Sequence, residues 1–249
     1  MKTQSGAKIT FTKSDLASFS EGETKVLYVF SHILNRLKLL DAQVFSHWRS
    51  AQNPERSQIE QQAAMLGVLE SLLLLAGELK EGWEAVQQCY YSTQLSKTLN
   101  SQLPEDIQKL LKRLPDRFSG SGVITRLRND FSYHHSPDMI LATSKLLDDD
   151  DPHVAYLFEG DNNYFDFATK MRIASIAEAL GLDDWRTTID KLVQEVVRNV
   201  YTPFSHVLNA ILVKLFEKID HEHEEVEIPA MLEAGELDAH YFFYVDPKA

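Results

Sequence analysis

One cysteine, Cys89, stands among 249 residues, so no disulfide can form within the chain and nothing in it asks for an oxidising compartment. The reducing cytoplasm is the expected setting. Long hydrophobic runs are missing as well: no purely apolar run is longer than Leu72 to Ala76, and the opening MKTQSGAKITFTKSD lacks the continuous apolar stretch of a signal peptide. Neither an export signal nor a membrane span is expected. Basic charge is in deficit, with 25 Lys and Arg against 37 Asp and Glu and a net charge of -12. That balance repels nucleic acid and anionic membrane at long range, so any RNA or DNA site must be a local basic pocket. There is no GxxxxGK loop to cradle phosphates and no GxSxG elbow, which excludes two large enzyme classes. Cys89 has no neighbour in sequence that would make it a nucleophile.

What is present is globular: 44% hydrophobic and 25% charged residues are enough apolar material for a core. The spacing of Val26, Phe30, Ile33, Leu37, Leu40, Val44 and Trp48 paints one face of a long helix. Asn53-Pro54 breaks it. A second helix carries Met65, Leu69, Leu72, Ala76, Leu79 and Trp83, and Leu66, Leu73 and Leu75 widen the stripe until more than one face is apolar, which predicts a central position. Leu103-Pro104-Glu105-Asp106 opens a short helix that Pro115 is expected to end. A helix over about 121–136 follows the Ser119-Gly-Ser-Gly122 connector. The segment from His153 to Phe167 alternates and turns like a β-hairpin. The third long helix runs from about Asp184 to Leu215, with a kink expected at Pro203. The fold class expected is all-α: a helical bundle of three long amphipathic helices plus shorter ones, one domain over 1–220 with a hairpin insertion at 153–167, then an acidic and aromatic tail over 221–249.

The segment Arg126-Leu-Arg-Asn-Asp-Phe-Ser-Tyr-His-His-Ser-Pro-Asp138 gathers arginine, a polar residue and two histidines within two turns. RNA cleavage without a metal needs such groups: a histidine to take the 2′-hydroxyl proton or protonate the leaving oxygen, and a guanidinium to steady charge on the phosphate. Arg128, His134 and His135 supply both types. Arg128-Asn129, with His134 or His135 following after five or six intervening residues, resembles the motif of the higher eukaryotes and prokaryotes nucleotide-binding (HEPN) superfamily. The resemblance implies a compact helical bundle, often a homodimer whose two motif helices meet across one cleft. In active members it implies a metal-independent endoribonuclease, and in others a binding or regulatory module.

Two histidines satisfy the motif. At 100° per residue His135 lies about 20° round the helix from Arg128, whereas His134 lies about 120° away on the apolar side. The motif's usual form favours His134 and ideal helix geometry favours His135. The alternative for both is structural: a core histidine bonded to a backbone carbonyl, or a charge at the negative end of a helix. The site expected is therefore Arg128 with His134 or His135, Asn129 orienting them, and Arg126 contacting substrate with Arg113 or Arg117 adding positive charge. No cofactor and no metal are expected. His221 and His223 would converge only in an extended segment, and Asp148-Asp-Asp-Asp151 reads as an exposed loop. Homodimerisation and RNA are the expected associations. A non-catalytic module binding a protein partner or a nucleotide is the alternative, and the acidic balance favours it.

Overall fold

The computed structural model describes residues 3–132, 147, 152–157, 164–219 and 223–229. His134, His135, the Asp148–Asp151 run, His221 and the aromatic part of the tail lie outside the described residues. A strand β1 (Thr3–Ile9) leads through Phe11 into helix α1 (Glu21–Gln52). Ser20 opens α1 with a reciprocal cap: its backbone N–H donates to Glu23 Oε2 at 2.9 Å while its hydroxyl accepts from the Glu23 N–H at 3.3 Å. Ser57 and Glu60 repeat the device at the start of α2 (Gln58–Val86). Between the two helices Asn53 Oδ1 accepts from the Glu55 N–H at 2.9 Å, so the Asn-Pro break is a built turn.

The helix beginning with α2 continues through wide turns, Gln87–Tyr91, whose hydrogen bonds span five residues. At 34 residues, Gln58–Tyr91 is long and apolar enough, by length and composition, to cross a membrane, and 50% of its most apolar window is buried inside the fold. The burial accounts for its apolar character: Val68, Leu69, Leu72, Leu73, Leu75, Ala76 and Leu79 are all inaccessible. They point toward α1 on one side and toward later helices on the other, the central position that the two-faced stripe predicts.

Then follow α3 (Gln94–Asn100) and α4 (Glu105–Arg117). Pro115 does not end α4 as expected; it lies inside the helix, which runs to Arg117. Its missing N–H leaves the Leu111 carbonyl without its helical donor, and the Tyr91 hydroxyl donates to that carbonyl at 3.2 Å. Helix α5 (Val123–Arg126) passes into wide turns Leu127–Ser132. The hairpin is present: β2 (Ala155–Tyr156) pairs antiparallel with β3 (Tyr164–Phe165). Helix α6 (Asp166–Leu180) ends at Gly181, whose φ of 68° is the left-handed geometry that favours glycine.

The third long helix is α7 (Thr188–Leu192), wide turns Val193–Tyr201 and α8 (Thr202–Phe216) in succession. Pro203 stands at the junction of the wide turns and α8, in continuous helical backbone, and supplies no N–H to the carbonyls of the turn before it. The wide turns lie immediately ahead of it, and there Thr202 Oγ1 donates to the Val197 carbonyl at 3.1 Å. The acidic stretch read as tail contains a strand, β4 (His223–Pro229), antiparallel to β1 from Thr3↔Pro229 to Ile9↔His223. Trp83 stacks on Phe118 at 4.8 Å and Phe204 meets both edge-on, so this tryptophan is packing, as its spacing implies.

Candidate functional site

Gly122 starts the motif helix because the backbone comes too close for a side chain: a Cβ there would lie 2.7 Å from the Arg117 carbonyl oxygen. From it, Ile124, Leu127 and Phe131 turn inward at helical spacing, onto α2. The opposite side is left at the surface, and it carries Arg128, Asn129 and Asp130.

Arg128 is 41% exposed and held on two sides. Its Nη2 donates to Glu81 Oε1 at 2.9 Å and its Nη1 to Asn129 Oδ1 at 3.2 Å. Its Nε is buried without a partner. A guanidinium has five N–H bonds, so one on each terminal nitrogen remains for a ligand. Asn129 Oδ1 and Glu81 Oε1 are thus the two acceptors that hold the guanidinium. The expected comparison of the two histidines assumes 3.6 residues per turn, and the wide turns over Leu127–Ser132 do not follow that period. Both histidines lie beyond the described stretch.

Arg126 is not brought to Arg128. It is exposed, and its Nη1 donates to the Ala179 carbonyl at 3.0 Å, covering one of the bare carbonyls at the end of α6. A different arginine reaches the motif helix. Arg172 of α6 donates from Nη2 to the Phe131 carbonyl at 2.9 Å and pairs through Nη1 with Glu70 of α2. Its partners lie 41 and 102 residues away in sequence, so no local pattern could have found it.

Beside Arg128 runs an open groove of about 340 Å³ between the outer sides of α1 and α2. Tyr28, Val29, His32 and Ile33 line one wall; Glu78, Glu81, Gly82 and Ala85 line the other. Gly82 brings the helices together, since a Cβ there would lie 3.0 Å from Ile33 Cγ2. Each groove carboxylate has an arginine: Arg36 Nη2 lies 2.8 Å from Glu78 Oε2, and Arg128 holds Glu81. Sequence spacing places Tyr28 and His32 one turn apart on α1, but only the pairing of the helices sets them opposite Glu78 and Glu81.

Among the described residues no group of three or more His, Cys, Asp or Glu could hold a metal ion. Cys89 is buried and its thiol pKa is raised by that burial, the opposite of an activated nucleophile. Comparisons of the chain with family models, with curated proteins and with solved structures find no match.

Proposed function

We propose that the protein is a HEPN-like, metal-independent endoribonuclease that works as a homodimer in the cytoplasm. The observation that carries this reading is the setting of Arg128. The guanidinium is fixed at the surface by Asn129 and Glu81 and still offers N–H bonds outward, the requirement for holding a phosphate diester while charge grows on it. His134 or His135 removes the ribose 2′-hydroxyl proton. The 2′-oxygen attacks phosphorus, the P–O5′ bond breaks, and the leaving 5′-oxygen is protonated, so a 2′,3′-cyclic phosphate remains on one fragment and a 5′-hydroxyl on the other. A second protomer supplies the acid that complements the base most simply.

A second reading has its own observation. Arg126 is engaged at Ala179 and Glu81 offsets the charge of Arg128, so the basic cluster that RNA would meet on an acidic protein is thin. A non-catalytic module that binds a protein partner or a nucleotide follows from that.

Incubating the purified chain with RNA in excess chelator separates the two. Cleavage with cyclic-phosphate ends is expected, together with loss of activity in Arg128→Ala and in one of His134→Ala and His135→Ala, and a dimer mass in light scattering. Arg128→Ala should keep its melting temperature, because an exposed ion pair such as Arg128 with Glu81 contributes about 0–1 kcal/mol. No cleavage of any RNA by the wild-type dimer would leave the binding module as the function.

A further inference from the structure

The groove beside Arg128 has features that the cleavage chemistry does not use. Tyr28 is 55% exposed, an aromatic ring on the surface at the rim of an open groove. The floor is smooth and apolar where Gly82 meets Ile33. Arg36 engages one oxygen of Glu78 and Arg128 one oxygen of Glu81, which leaves a second oxygen on each carboxylate to accept hydrogen bonds.

A cation is poorly served here, because both carboxylates already have a guanidinium. What they still select is a neutral group that donates. An exposed aromatic face selects a flat ring to stack on it. A planar ligand with two neighbouring donors on one edge satisfies both conditions, and among the RNA bases guanine presents that edge, through N1–H and the 2-amino group. Its O6 and N7 are acceptors, and His32, on the same wall as Tyr28, brings a ring nitrogen of the donor type into the lining.

We propose that the α1/α2 groove is a guanine subsite: the base stacks on Tyr28 and directs its donor edge to Glu78 and Glu81, while the adjoining phosphate reaches Arg128. The groove then determines where the chain cuts RNA. The proposal rests on the reading of Arg128 as the phosphate-holding group, since Glu81 belongs to both the groove and the Arg128 pair.

Calorimetric titration of the full chain with GMP, AMP, CMP and UMP tests the site without any need for catalysis. GMP should bind at least about tenfold more tightly than the others, and Tyr28→Ala should weaken it by about tenfold or more, the loss of one stacked ring. Tyr28→Phe should restore binding, and Glu78→Ala should bring GMP down toward AMP. Equal binding of all four nucleotides, binding of none, or GMP affinity unchanged in Tyr28→Ala overturns the subsite. Mapping cleavage on a mixed-sequence RNA keeps the two ideas apart. Cuts without preference for guanosine sink the subsite and leave the nuclease standing, whereas GMP binding by a chain that cleaves no RNA sinks the nuclease and leaves the subsite.

Discussion

Asp41 of α1 keeps one carboxylate oxygen buried without a partner, and burial pushes its pKa from 3.8 up to about 6, although the hydrogen bond with Tyr201 pulls the other way. The folded chain therefore holds a proton that the unfolded chain releases at lower pH. The Asp41 contribution to stability should fall as pH rises from about 3.8 to about 6 and level off above, and a shift of that size corresponds to about 3 kcal/mol. Asp41→Asn removes the charge and keeps the shape. It should melt at a higher temperature than wild type well above pH 6 and at nearly the same temperature below pH 3.8, as thermal scans at the two pH values will show. Equal differences at both would refute the buried-charge account. At this scale the sequence was a partial guide. The spacing of Trp83 named it as core, and it stacks on Phe118. Asp41 reads in the sequence as one more surface acid, and the tyrosine beside it lies far along the chain.

Between elements, the α1/α2 crossing relies on a missing side chain. A Cβ on Gly67 would lie 2.7 Å from His47 Cγ, and the same imidazole makes a 3.1 Å hydrogen bond through Nδ1 with the buried hydroxyl of Ser71. Gly67→Ala gains helix propensity of roughly 1 kcal/mol but must displace the ring and strand the Ser71 hydroxyl. A net loss of about 1–3 kcal/mol is expected in chemical denaturation; an unchanged or raised stability would mean that the ring has room to move. The existence of α1 and α2 was legible from apolar period, and the structure adds a reciprocal cap at the start of each, Ser20 with Glu23 and Ser57 with Glu60. The persistence of α4 through Pro115 was not legible, because the donor that makes it tolerable, Tyr91, arrives from another helix.

Over the whole molecule, the two described ends of the chain meet as the β1–β4 ribbon, which among the described residues pairs with itself and packs on no helix to a comparable extent. The helical body is anchored nearby by Phe11 on Phe216, 5.8 Å apart. Removing residues 1–9 should leave a cooperative helical transition within a few degrees of wild type in scanning calorimetry, because a lone two-stranded ribbon adds little. Loss of that transition would show that the ribbon organises the bundle.

The sequence by itself determined the all-α class, the long helices and their breaks, the central place of the second helix and the hairpin at Tyr156 and Tyr164, because periodicity, caps and turn residues act over a few positions. Only the tertiary structure decided which arginine does what. Arg126 and Arg128 are two residues apart, yet one covers the end of α6 and the other faces Glu81 across to α2. It likewise decided that Tyr28 and His32 share a groove with Glu78 and Glu81, and that an acidic stretch pairs as β4 with β1. Each of these depends on which distant partner completes a hydrogen bond, an ion pair or a cavity wall, and that information does not reside in any local window of the chain.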